Sequence, residues 1–398
     1  MLRARADAED PAPGDLGENV VREACRHCGV FGGGAALAAT ISSTDGKFTA
    51  MALLEILRIT HPIIQAPMAG GLSTPALAAA VSNAGALGFL GGGYLTPEQI
   101  RDEIARVREL TNRPFGVNLF AGGYTQRTDR DAAPILRLMS EIHRELGLTE
   151  PSLPVLPPDP FREQLAVVIE AKPAAFSFTF GIPDPEAMTA LRAAGIVIVG
   201  TATSLHEGQL LEEAGVDAAI AQGSEAGAHR GTFAGEDASV PTLDLVPDLA
   251  NHLSVPVIAA GGIMTGRDIG RALRAGAEAV QMGTAFLACD EAGTSTPYRQ
   301  ALMHADGGQT VLTRAFSGRA ARGLRNAFID RVGERDELIL PYPIQNSLTR
   351  PMRAAAAARG NAEYLSLWAG TGVAQIRPMP AAALVAMLVS ELQAFSES

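Results

Sequence analysis

The sequence predicts an α/β fold of the (β/α)8 barrel type, with a smaller second domain forming a cap over the barrel mouth. Three observations lead there. From Ile59 onward, short apolar runs alternate with amphipathic helical stretches, the pattern of a parallel sheet covered by helices. About eight such alternations lie between Ile63 and Gly283, the count that closes a barrel. An open doubly wound sheet would carry Gly-x-Gly-x-x-Gly after its first strand, whereas here that strand leads into Pro67-Met68-Ala69-Gly70-Gly71.

The elements follow in order. Residues 1–50 mix Asp, Glu, Arg, Pro, Gly and Ala without sustained periodicity and read as a poorly ordered extension; Met51 opens the first organised segment. Ile63–Met68 reads as the first strand, and Ser73-Thr74-Pro75 supplies an N-cap with proline in the first helical turn. Leu87–Gly92 is the second strand, Thr96-Pro97-Glu98 opens the next helix, and Phe115–Phe120 is the third strand. Residues 121–160 break the rhythm with a polar loop, a helix near Ala132–Leu146 and a proline-rich run, a length that suits a lid or part of a second domain. Strands then recur at Ala174–Phe180, Ile196–Thr201, Ala218–Gln222, Pro256–Ala260 and Ala279–Gly283. The barrel thus spans residues 51–288. Residues 289–398, with the 121–160 insertion, hold more chain than one closing helix needs and are assigned to the cap and C-terminal helices.

Composition narrows the function. A chain of 398 residues that is 47% hydrophobic and 19% charged is globular, and no uncharged apolar stretch is long enough to span a membrane. A net charge of -11 argues against a nucleic-acid surface. Three cysteines make no disulfide framework and point to a reducing cytoplasm. Cys25 and Cys28 have metal-ligand spacing, but no second pair completes a tetrahedral site, so no metal is expected. Patterns for zinc hydrolysis, serine acyl transfer and nucleotide hydrolysis do not occur.

Candidate site residues gather at the carboxyl ends of the strands. Gly261-Gly262 precedes a helix beginning near Thr265, and Gly283-Thr284 closes the eighth strand, so backbone amides and a helix N-terminus can converge on a phosphate. Asn118, Gln222 and Gln281 place three carboxamides at the same end, each either satisfied within the core or available to a ligand with a donor–acceptor edge. After the sixth strand comes Gln222-Gly-Ser-Glu-Ala-Gly-Ala-His-Arg-Gly231. There the cation of Arg230 is expected to lower the pKa of His229 and keep its ring neutral, able to accept a proton. Arg230 either attracts an anionic substrate or holds Glu225, the second reading being favoured. His143, His206, His252 and His304 fall on predicted helices and read as solvated.

Gln65-Ala-Pro-Met-Ala-Gly70, Gly116-Val-Asn-Leu119, the segment 222–231, Ala260-Gly-Gly-Ile263 and Gln281-Met-Gly-Thr284 together resemble nitronate monooxygenase, formerly called 2-nitropropane dioxygenase. The likeness runs from Met51 to about Asn326. It implies a TIM barrel that binds FMN without a covalent bond and oxidises an alkyl nitronate with O2 to a carbonyl compound and nitrite. Asn118, Gln222, Gly227, Gly261, Gly262, Gln281, Met282, Gly283 and Thr284 match cofactor-binding positions, Pro67 and Met68 match the wall near the flavin ring, and His229 matches the catalytic histidine. In the family that histidine removes the α-proton where a neutral nitroalkane is the substrate. The resemblance is compatible with a homodimer. Flavin-dependent enoyl-acyl-carrier-protein reductases share a similar motif but generally differ after the histidine, so His229-Arg230-Gly231 favours the nitronate branch over an NAD(P)H-dependent reductase of enoyl thioesters or quinones. Ala228 stands where the family usually has a second glycine, and its methyl is expected to restrict the loop.

Overall fold

The computed structural model describes residues 51–397, and the predicted extension 1–50, with Cys25 and Cys28, lies outside the described residues. Helix α1 (Met51–Leu57) turns Leu53 and Leu57 into a cluster with Ile64, Phe89, Val199, Ile220 and Ile258. The strands that follow are β1 (Ile63–Gln65), β2 (Gly88–Gly91), β3 (Phe115–Phe120), β4 (Ala175–Thr179), β5 (Val197–Ala202), β6 (Ala218–Gln222), the short β7 (Ala228–His229), β8 (Val257–Ala260) and β9 (Ala279–Met282). All except β7 form one parallel sheet in the order β1-β9-β8-β6-β5-β4-β3-β2. A parallel bridge between Ile64 and Leu87 joins its two ends, with Gln65 N donating to Leu87 O at 2.9 Å and Leu87 N to Ile63 O at 3.0 Å. The sheet is therefore closed into the expected TIM barrel.

Strand β1 ends three residues earlier than the apolar run suggested. The Gln65 side chain accepts from Phe89 N at 3.0 Å, and its amide, like Met68 N, donates to Ser73 Oγ, which folds residues 66–73 into a pinned turn. Local capping sets the wall helices. Thr74 caps α2 (Pro75–Asn83), and a reciprocal Thr96–Gln99 box caps α3 (Pro97–Leu110). Asp184 caps α6 (Pro185–Ala193), and Ser204 caps α7 (Leu205–Ala214). The proline-rich run ends at Pro160, and the crossover from β3 to β4 is completed by α5 (Phe161–Ala171), a helix that the prolines before it concealed. Helices α8 (Thr242–His252) and α9 (Gly266–Arg274) flank β8.

After β9 the chain leaves the wall and builds a second hydrophobic core. The insertion helix α4 (Ala133–Glu145) contributes Ile135, Met139 and Ile142, which pack with Phe316, Phe328, Leu348 and Met352. His143 is therefore buried in that core, 4% exposed with Nδ1 2.6 Å from Thr149 O, rather than solvated as its helical position suggested. The remaining elements are α10 (Thr296–Met303), β10 (Thr310–Thr313), β11 (Ala321–Leu324), α11 (Ala327–Val332), α12 (Ile344–Ala358) and α13 (Ala381–Ser396). A three-stranded antiparallel sheet in the order β10-β11-β7 links this region to the loop after β6.

The final helix departs from the expectation that the tail covers the mouth. Ala381, Leu384, Val385 and Leu388 of α13 belong to the barrel core, and the helix packs between α9 and α2 as the eighth wall helix. Two glycines of α9 make the seat: a Cβ on Gly270 would stand 2.0 Å from the Phe395 ring, and one on Gly266 would stand 2.4 Å from Glu391 Cβ. The chain thus inserts residues 289–380 between the last strand and its helix. No helix among the described residues is long and apolar enough to cross a membrane.

Candidate active site

A cavity of about 470 Å³ opens at the carboxyl ends of the barrel strands, a size that suits a cofactor or small ligand. Its wall brings together Pro67, Met68, Asn118, Gln222, Gly227, His229, Gly261, Gly262, Gln281, Met282, Gly283 and Thr284. Residues as far apart in sequence as Pro67 and Thr284 meet here because parallel strands deliver all their carboxyl ends to one face.

The three carboxamides divide once their partners are known. Asn118 is 5% exposed and donates to Ser177 O at 3.1 Å and Ser177 Oγ at 2.9 Å, so its amide is tied to the neighbouring strand. Gln222 is tied to the loop it precedes: Nε2 donates to His229 O at 3.1 Å, and Oε1 accepts from Gly231 N at 2.7 Å. Only Gln281 makes no side-chain hydrogen bond among the described residues, which leaves its carboxamide available to a ligand.

The phosphate expectation needs a similar correction. The amino end of α9 is already satisfied: Thr265 and Asp268 form a reciprocal capping box, and Gly266 N donates to Glu391 Oε2 at 2.7 Å. Two of its first-turn amides are thus engaged by the protein's own groups, Gly266 N by a carboxylate and Asp268 N by the Thr265 hydroxyl. The turn before it stays open. Gly261 and Gly262 have φ of 122° and 70°, which glycine adopts at little cost, and neither their amides nor those of Ile263 and Gly283 find an acceptor among the described residues. Thr284 Oγ1 accepts from Gly370 N at 3.0 Å, so a loop from beyond α12 closes this end of the cavity.

Around His229 the loop after β6 contains the short strand β7. Ala321 pairs with His229 and Arg322 with Ala228, while Arg230 N donates to Ala320 O at 2.9 Å. Arg230 is 2% exposed and turns away from the cavity: Nε and Nη2 bind the two oxygens of Asp237 at 2.7 and 3.1 Å, and Nη1 donates to Gln222 O and Gly223 O. Its partner is therefore Asp237. Glu225, the partner expected from sequence, accepts instead from Thr242 N and Oγ1, each at 2.9 Å.

The imidazole of His229 lies 2.8 Å from Ser317 Oγ through Nε2 and is walled by the rings of Phe180, Tyr342 and Trp368, with centroids 5.7, 6.1 and 5.6 Å away. Burial, then the charges of Arg319 and Arg353, lower its pKa to about 3. The expected direction holds, but the cations responsible lie in the 289–380 insertion and are not the adjacent Arg230. Arg319 itself stacks 4.1 Å above the Phe180 ring and donates to Thr232 O.

Sequence reasoning left several of these groups unassigned. Ser317 and Arg319 lie in residues 289–398, which the sequence assigned to the cap without singling out site residues. Tyr94, Arg353 and Gly370 carried no local signal. Trp368 is the single tryptophan, a composition signal that had no position attached. The described residues contain no group of three potential metal ligands, and Cys289 is buried with its thiol pKa pushed up to about 12.

Comparison with known proteins agrees with this layout. The family model for nitronate monooxygenase matches residues 51–391. A probable nitronate monooxygenase of Staphylococcus aureus (strain Newman) is 40% identical over 343 residues, which is 85% of this chain and 96% of that protein. Among solved structures, nitroalkane oxidase from Streptomyces ansochromogenes is 40% identical and superposes with a TM-score of 0.80 over 88% of this chain and 99% of its own. FabK from Thermotoga maritima is 30% identical with a TM-score of 0.69 over 87% and 96%. The family match covers the barrel, the inserted cap and most of α13, so likeness extends over both sides of the cavity, and the chain belongs to the nitronate monooxygenase family of oxidoreductases.

Proposed function

We propose that the protein oxidises alkyl nitronates, using non-covalently bound FMN and O2, to a carbonyl compound and nitrite, and that it accepts nitroalkanes less readily. The cavity residues fit FMN. The positive-φ turn at Gly261-Gly262 and the unengaged amides of Gly262, Ile263 and Gly283 suit a phosphate, and the free carboxamide of Gln281 suits a ring with a donor–acceptor edge. When bound, FMN supplies the electron-accepting centre.

The observation that carries the reading is a half-buried, neutral His229 near two arginines that make no ion pair among the described residues. Arg319 and Arg353 give this end of the cavity a positive potential, which favours a substrate already anionic. Nitronates meet that requirement without loss of a proton. A neutral nitroalkane must first give its α-proton to His229, and an imidazole whose pKa is held near 3 takes it reluctantly. Ser317 fixes the ring orientation through Nε2, and the rings of Phe180, Tyr342 and Trp368 pack against the imidazole.

The test is His229→Asn in the FMN-loaded protein. The visible flavin spectrum should persist, turnover of a nitroalkane should fall about 100-fold, and turnover of its preformed nitronate should fall less. Equal nitroalkane rates for the variant and the parent would remove His229 from the reaction. Anaerobic mixing with NADH separates the reductase reading, which requires rapid bleaching of the flavin.

A further inference from the structure

Among the described residues Glu207 is the one carboxylate that is fully buried, and it makes no ion pair. It lies in the first turn of α7, and four donors converge on it. Thr203 N and Oγ1 reach Oε2 at 2.7 and 2.8 Å, and Phe233 N and Ala234 N reach Oε1 at 2.5 and 2.9 Å. Every contact is a donor, so the group is an ionised carboxylate. Two of those amides belong to the loop that continues His229-Arg230-Gly231, so Glu207 grips, from the barrel wall, the chain that carries the imidazole. A neutral oxygen could accept these amides with less desolvation cost. The charge of Glu207 therefore calls for a second role.

Arg319 supplies that role. Its Nη2 donates to Thr232 O, one residue before the gripped amides, and Thr232 Oγ1 lies 2.9 Å from the Thr203 hydroxyl that Glu207 holds. The guanidinium stacks 4.1 Å above the Phe180 ring, whose centroid is 5.7 Å from that of His229. Gly123, with φ of 72°, leaves the space, since a Cβ there would stand 2.4 Å from Arg319 Nη1. Burial lowers the pKa of Arg319, whereas Tyr342 and Glu207 raise it, so the carboxylate acts on this cation without touching it. The succession Glu207, Thr232, Arg319, Phe180, His229 thus leads from a wall helix to the imidazole.

We propose that Glu207 is a positioning residue for the His229 end of the cavity. It fixes the loop that seats Arg319 behind Phe180, and its negative charge tempers the positive potential that Arg319 casts there. Glu207 thereby sets how strongly this end favours a substrate that is already an anion over one that must first give a proton to His229. The inference deepens the nitronate reading and rests on it for the identity of the two substrates. Glu207 touches neither of them and acts through Arg319.

The experiment compares kcat/KM of the FMN-loaded enzyme for nitroethane and for its preformed nitronate. Glu207→Gln keeps an oxygen for the Phe233 and Ala234 amides but removes the charge, so the nitronate-to-nitroalkane ratio should rise about threefold. The nitronate gain should fall in KM and the nitroalkane loss in kcat. Arg319→Met should lower the ratio about threefold, and Arg319→Lys should preserve it. In the Arg319→Met background, Glu207→Gln should leave the ratio where it is. A merely structural role would slow both substrates alike. An unchanged ratio in Glu207→Gln, or the same rise without Arg319, overturns the proposal. If Glu207→Gln does not fold, Arg319→Met decides, and the parent's ratio in that variant overturns it. Nitrate, a planar oxyanion, gives a readout free of turnover through the flavin difference spectrum. It should bind about threefold tighter in Glu207→Gln and about threefold weaker in Arg319→Met. Those shifts in an enzyme that oxidises neither substrate would sink the nitronate reading and leave the role of Glu207 standing. Equal nitrate affinity in the parent and both variants would sink that role.

Discussion

The barrel side and the cap side of the cavity are made from different material. The barrel offers backbone and small residues: Gly261, Gly262 and Gly283 at the strand ends, with Asn118 and Gln222 already committed to protein partners. The cap offers side chains that carry charge or aromatic surface: Arg350, Arg353, Tyr298 and Trp368. His229 belongs to both, since it sits on the loop after β6 yet pairs through β7 with a cap strand. On the proposed reading, the glycine-lined floor holds a flat cofactor and the inserted segment supplies the groups that choose the substrate. Binding of cofactor and choice of substrate are therefore separable by mutation.

The largest expected effect comes from the cap's control of His229. An unfolded histidine titrates near pH 6.5, while burial and the cap arginines hold His229 near 3. Above pH 6.5 both states are neutral at this site and it contributes nothing to the pH dependence. Between 6.5 and about 3 the unfolded chain takes up a proton that the folded chain refuses, so stability falls as pH falls, by about 1.4 kcal/mol per pH unit at the steepest. Urea unfolding of the parent and of His229→Asn across pH 4–7 isolates this group from the carboxylates, and the variant should lose the extra slope. Equal slopes would mean that the cap does not desolvate the ring.

A smaller effect is expected where the two sides touch through backbone. An added Cβ on Gly227 would stand 2.5 Å from Gly370 N and 2.6 Å from Ala369 C, both main-chain atoms that cannot swing aside. Gly227→Ala should cost about 2 kcal/mol in urea unfolding as the two loops are pushed apart. An unchanged midpoint would show that the 365–376 loop yields freely, and that the cap is less firmly seated on the barrel than its contacts indicate.

This contrast also explains what was legible in the sequence. The barrel strands were readable because each is a local apolar run bounded by turn residues, and β3 and β6 occur at the predicted residues. The cap was readable only as surplus chain. Arg353 sits on α12 like any surface arginine, and only the folded chain shows that it faces Tyr94, more than 250 residues earlier. Neighbours in sequence misled for the same reason: Arg230 adjoins His229, but in a strand successive side chains point to opposite faces, and Arg230 turns to Asp237. The closing helix α13 was misplaced because a 92-residue insertion, residues 289–380, separates it from β9.

The smallest effect tests the join itself. Ala228 has φ of 64°, a left-handed conformation that costs a residue with a Cβ about 1 kcal/mol and costs glycine almost nothing. The residue is held there by its pairing with Arg322 and by the Gln222–His229 bond on its other flank, so the barrel loop and the cap strand together impose the strain. Ala228→Gly relieves it but gives the unfolded chain more freedom, and the two effects leave a net gain of about 0.5 kcal/mol. A higher urea midpoint for this variant would show that cap and barrel dictate the backbone at the residue before His229 against its own preference. A lower midpoint would show that the alanine is suited to its place, and that the β7–β11 pairing adapts to the loop rather than constraining it.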